Sequence, residues 1–250
     1  MANENLKSLY IDGLYAETLA FLTIHKNCLS HFKFLHASGL GALFVYFQAL
    51  GLTDLLDFYI ETVLEYKGLS NVSNLKEKLQ NLTLSKLGHE ASFKTLFKST
   101  GKKLTIYAYD IRINENIVFS YDTTPNEKCV DAIVNSCFHY NDTRNKFMIS
   151  NNISVNMTFP IDNLKNCFII YHKFVDNQED YKGKELMTKL YNHNLYNELT
   201  KVKISMVKEN SGNEFIPIFT NMTVFYEDKQ SFKEKLHRYY FDHFRDPAIF

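Results

Sequence analysis

The stretch that most constrains this chain is Lys33-Phe34-Leu35-His36-Ala37-Ser38-Gly39-Leu40-Gly41-Ala42-Leu43, continued by Phe44-Val45-Tyr46-Phe47-Gln48-Ala49-Leu50-Gly51. Its pattern predicts a short buried strand, a tight turn of small residues, and a helix apolar on nearly every face. A strand, sharp turn and helix in this order can raise a nucleophile at the top of a sheet. The usual form is G-x-S-x-G, with small residues two before and two after the serine because the backbone bends sharply there. Here the small flanks are Ala37 and Gly41, so the position between them is Gly39. No side chain stands where an attacking oxygen would be.

The 250 residues suit one α/β domain spanning 1–250, long enough for a substantial core. Lys+Arg and Asp+Glu number 28 each, and a neutral balance argues against nucleic acid as a main partner, because phosphate binding needs a basic excess. Cys28, Cys129, Cys137 and Cys167 show no C-x-x-C spacing and are expected to be free thiols in a reducing compartment. No H-x-x-x-H, D-x-D or C-x-x-C arrangement supports a metal site, and no cofactor is implied. The first residues lack the basic and apolar regions of a signal peptide. No run of about 18 apolar residues predicts a membrane span, so the expected location is cytoplasmic. The Asn, Lys, Ile, Tyr and Phe bias suggests an AT-rich genome such as that of a large DNA virus or a parasite. A viral origin would place the chain in host cytoplasm or a virion.

Along the chain, 5–11 alternates as a first strand ending in Asp12-Gly13, and 14–29 has helical spacing. Thr53 and Asp54 open a helix through about Tyr66, with Gly68 to end it. Helices are expected at 71–84, with Leu75, Leu79 and Leu82 inward, and at 92–99, closed by Thr100-Gly101. Strands follow at 104–110 and 117–121. Thr124-Pro125-Asn126-Glu127 combines a capping box with proline at the first helical position, which predicts a helix from there to Cys137. Residues 138–163 read as loop. Then come a strand at 167–174, a helix at 184–194, a strand at 214–219 and a terminal amphipathic helix opened by Ser231 and Glu234. Asp12 and Asp110 stand at strand ends, where turn and cap chemistry is the expected role. His36 at its strand end, and His237 and His243 on the last helix, are expected to be structural or solvated.

In this order the chain resembles the patatin-like phospholipases over nearly its whole length. Ala37–Leu43 is similar to their G-[TS]-S-A-G-A-L elbow. Ser92-Phe93-Lys94-Thr95-Leu96, Thr100-Gly101-Lys102-Lys103-Leu104, Thr124-Pro125 and Ala132-Ile133-Val134-Asn135-Ser136 are similar to the family's T-F-x-x-L, T-G-K-x-L, T-P and A-I-x-A-S elements. The resemblance implies a three-layer α/β/α sandwich with a mainly parallel central sheet. It also implies a site: a serine that attacks an acyl carbonyl, an aspartate that takes its proton, and a glycine-rich loop whose amides hold the oxyanion.

Each part of that site departs from the family's pattern. The serine position falls on Gly39. Counting back from Phe159-Pro160-Ile161-Asp162 puts the aspartate at Asn152, followed by Ile153-Ser154, and an amide cannot accept a proton as a carboxylate does. The oxyanion loop is reduced to Asp12-Gly13-Leu14-Tyr15-Ala16-Glu17, with one glycine and no basic residue, and Tyr140 stands where proline is usual. Losing a triad-type nucleophile removes on the order of 10⁴-fold in rate or more. The expected function is therefore a catalytically inactive patatin-like protein kept as a scaffold or binding protein, whose partner is a lipid, a second copy of itself or another protein. A second reading is an active lipid acyl hydrolase with a non-standard site, using Ser38. Against it, the neighbours two residues either side of Ser38 are His36 and Leu40, which are not small. A third reading is a structural component of a larger assembly.

Overall fold

The computed structural model describes residues 7–13, 16–52, 55–59, 72–110, 113, 115–137, 148–149, 164–175, 198, 201, 212–221 and 234. Its elements are β1 (Ser8–Asp12), α1 (Ala16–Ile24), α2 (Lys26–Leu29), β2 (Phe34–Ser38), α3 (Gly41–Leu50) and α4 (Leu55–Tyr59), then α5 (Val72–Leu87), α6 (Phe93–Thr100), β3 (Lys103–Asp110) and β4 (Glu115–Ser120), and last α7 (Cys129–Cys137), β5 (Met148–Ile149), β6 (Cys167–Val175) and β7 (Glu214–Asn221). The helix expected at 184–194, the terminal helix apart from the helical Glu234, and Tyr140, His237, His243 and the elbow's partner position Asn152 lie outside the described residues.

One sheet organises these elements, in the order β4-β3-β2-β1-β6-β7, with β5 also on β3. Four neighbouring pairs are parallel, and β4 and β5 are antiparallel to β3. β5 takes up Tyr109 and Asp110, past the point at Tyr107 where β2 leaves the sheet. From β1 the chain first builds outward through β2 and β3, then crosses to β6 and β7 on the other side. That reversal makes β1 the switch point, and ligands of open α/β sheets bind beyond the strands' C-terminal ends at such a point.

The sheet's two faces differ. Leu9, Ile11, Leu35, Ala37, Leu104, Ile106 and Ile170 point to one face and form a single core with the buried side of α1, α3, α5, α6 and α7. Tyr10, Tyr107, Cys167 and Ile169 point to the other and cluster with Leu164. α3 is buried along all its length except Gln48, as its apolar sequence requires. It ends at Gly51, whose φ of 67° lets its N–H and that of Leu52 cap the last carbonyls. Pro217 sits in β7, which ends the strand order, where a missing N–H is tolerated.

Besides the strand β5 at Met148–Ile149, which falls in the stretch expected as loop over 138–163, three sequence expectations are corrected. The helix expected over 14–29 is divided at His25 into α1 and α2. The first strand includes Asp12, so this carboxylate lies in the sheet rather than in a turn. The third correction concerns Thr124-Pro125-Asn126-Glu127, which does not start a helix; α7 begins at Cys129. The carbonyls of Pro125 and Glu127 instead accept the N–H groups of Lys94 and Phe93, at 2.9 and 3.2 Å. These are first-turn donors of α6 that have no partner within the helix. With Ser92 and Thr95 forming a reciprocal capping box, the start of α6 is satisfied from both sides.

Candidate functional site

The expected elbow is present as backbone. β2 ends at Ser38, α3 starts at Gly41, and between them Gly39 takes φ 57°. That left-handed conformation costs a residue with a side chain of order 1–3 kcal/mol, and glycine little. Gly41 is as tightly specified. A Cβ there would meet the carbonyl oxygens of Ile11 at 2.7 Å and Gly13 at 3.0 Å, because the start of α3 lies directly on the end of β1. The oxyanion-loop remnant joins the same construction: Gly13, with φ 75°, donates its N–H to the Ser38 carbonyl at 3.0 Å.

The turn is held from α7. Ser136 Oγ accepts the Gly39 N–H at 2.9 Å and donates to the Tyr107 carbonyl at 2.6 Å. Cys137 Sγ lies 3.4 Å from the Gly39 carbonyl as its donor. The last serine of the A-I-x-A-S-like segment is thus the group that ties the elbow to β3.

Ser38, the residue just before the bend, is fully buried. It lies on the tyrosine face of the sheet, where Tyr10 Oη donates to its Oγ at 2.9 Å and also reaches Asp12 Oδ1 at 3.5 Å. Burial, then the Asp12 charge, pushes the Tyr10 phenol well above its usual range, so it stays a donor. His36 approaches Tyr107 Oη through Nδ1 at 3.4 Å, and burial pushes its imidazole down to about 4. Asp12 and Asp110 are the last residues of β1 and β3 and are each 2 % exposed. Both are enclosed strand ends rather than solvated caps.

His172 on β6 was not singled out by the sequence. Its ring contacts Thr18 Oγ1 at 3.3 Å. Burial pushes it down to about 3, against an upward pull from hydrogen bonds to the backbone of Asp12 and Gly13. It is a neutral imidazole packed under the oxyanion-loop remnant. The signal that could have found it is one titratable ring inside the apolar run 168–174. Burial also pushes the thiols of Cys129, Cys137 and Cys167 up, so none offers a thiolate at neutral pH. All four cysteines are free. Among the described residues no cluster of three His, Cys, Asp or Glu could hold a metal ion, and no helix is long and apolar enough to cross a membrane.

No protein-family model matches the sequence, and no curated protein sequence matches it. The structure is similar to that of VipD from Legionella pneumophila, with 10% identity over 98% of this chain and 67% of that one, at a TM-score of 0.51. The fold is patatin-like. A weaker likeness is to ExoU in its heterodimeric complex with SpcU, from the type III secretion system of Pseudomonas aeruginosa. There the identity is 14%, over 83% of this chain and 52% of that one, at a TM-score of 0.46. This chain spans about two thirds of the VipD length and about half of ExoU's. At 10% identity the likeness to VipD establishes the fold class expected from the sequence, an α/β domain with a mainly parallel sheet, and the fold alone.

Proposed function

We propose that this chain is a patatin-like protein that has lost the acyl-hydrolase chemistry and serves as a scaffold or binding protein. One observation carries this reading. The residue at the φ 57° bend is a glycine, while the adjacent hydroxyl, Ser38, is fully buried and accepts a hydrogen bond from Tyr10. A nucleophile must be reachable and have its proton taken by a base. Ser38 is enclosed, and the phenol beside it donates rather than accepts. Asn152, at the second position of the dyad, would add the loss of the base to the loss of the nucleophile.

The test is an assay of the purified chain on short-chain acyl esters and on phospholipid vesicles. No turnover above the uncatalysed rate is expected, and Ser38→Ala should leave that result unchanged. Turnover that Ser38→Ala abolishes would overturn the reading and identify an active hydrolase working from a non-standard position.

A further inference from the structure

Three adjacent strands each follow a lysine. Ser8 of β1, Phe34 of β2 and Lys103 of β3 lie side by side in register, so Lys7, Lys33 and Lys102 form the next row out. On the other side of β1, Cys167 of β6 lies beside Ser8, and Lys165 stands two residues before it. The strand starts are fixed: Lys103 N–H bonds to the Lys33 carbonyl at 2.8 Å and Lys7 N–H to the Asn166 carbonyl at 3.1 Å. Strands are about 4.8 Å apart, so the four starts span about 14 Å. Each gap is shorter than the Debye length of about 8 Å at physiological salt, and the charges act together.

Lys7, Lys33 and Lys165 are exposed, and Lys102 is half-buried with Nζ on the Ser30 carbonyl at 2.8 Å. Against them stand Asp122, which Lys103 holds at 2.9 Å, and Glu214 at the start of β7. The whole chain is neutral, so the excess among the described residues of this edge is one of placement. Phe34 lies among the lysines and is 39 % exposed, although β2 is an interior strand.

We propose that this edge of the sheet docks on an anionic lipid bilayer, with the lysines at the headgroup phosphates and Phe34 in the interface. Lysine is a point charge on a flexible stem and suits a fluid layer of phosphates. An exposed aromatic residue in the row next to the lysines adds apolar contact that a bilayer interface rewards. The inference is independent of the elbow, which lies at the opposite ends of the same strands.

The test is co-sedimentation of the full chain with phosphatidylcholine vesicles, with and without phosphatidylserine. Binding is expected only with phosphatidylserine, and it should be lost at high salt. A lysine near an anionic surface is worth about fivefold in partitioning, so Lys7→Gln, Lys33→Gln and Lys165→Gln together should weaken binding on the order of a hundredfold. The same three positions changed to arginine should keep it, and Phe34→Ser should weaken it less. Equal binding to neutral vesicles overturns the proposal, as does wild-type binding by the triple glutamine variant. Binding indifferent to salt overturns it without any variant. So does binding to duplex DNA or to an acidic polypeptide with none to vesicles under the same conditions.

Discussion

Where β1, β2 and β3 end, Asp12, Ser38 and Asp110 are buried, Gly13 beyond β1 is tied to the Ser38 carbonyl, and Gly39 beyond β2 is tied to Ser136 of α7. Where the same strands begin, Lys7 and Lys33 stand exposed and Phe34 is partly open. The position of a catalytic site in an α/β sheet is the C-terminal edge, and here that edge is the closed one. Its described polar groups bond each other, which fixes the backbone. The N-terminal edge of such a sheet has no inherited chemistry, yet it carries the solvated charge.

Acid should break this contrast most strongly. His172 and His36 are held neutral down to about 3 and about 4, while an unfolded chain protonates them near pH 6.5. Below that pH the unfolded state binds protons that the folded state refuses, so stability falls as pH falls. Each histidine removes about 1.4 kcal/mol per pH unit until its folded pKa is reached, and above pH 6.5 neither contributes. At pH 4.5 the pair should remove about 5 kcal/mol in urea unfolding, and His172→Gln should lessen the slope by one proton. A slope unchanged by that variant would mean that His172 is not buried as described.

Ser136→Ala should come next, at about 2–4 kcal/mol, because it leaves the Gly39 N–H and the Tyr107 carbonyl without this partner. Gly41→Ala should cost about 1–3 kcal/mol by pressing a methyl group on the carbonyls of Ile11 and Gly13. Both are read from unfolding midpoints, and a loss under about 0.5 kcal/mol in either would show the closed edge to be looser than its distances imply. The smallest effect belongs to the open edge. Changing Lys7, Lys33 and Lys165 to glutamine should shift stability by no more than about 0.5 kcal/mol, since exposed charges contribute little to folding.

The closed edge was legible in the sequence because it is built by exclusion. Gly39 and Gly41 are small for reasons the structure gives: a left-handed bend at 39 and carbonyls in the way at 41. α6 was legible from Ser92 and Gly101, its cap and its stop. Thr124–Glu127 misled because a capping box is a local pattern, whereas the carbonyls of Pro125 and Glu127 are taken by a helix some thirty residues back in the chain. His172 was hidden for a related reason: what matters about it is the strand-end backbone of a neighbour far away in sequence. The lysine row was invisible until register was known, since nothing in the chain order sets Lys7, Lys33 and Lys102 side by side.

The start of α6 has a consequence for how the molecule opens. First-turn amides of a helix ordinarily exchange with solvent quickly, having no partner inside the helix. In this chain the amides of Phe93 and Lys94 are closed by Glu127 and Pro125, and that of Cys129 by Ala91. Hydrogen–deuterium exchange should therefore find these three amides slow and opening together, as one cooperative unit running from Ala91 to Cys129.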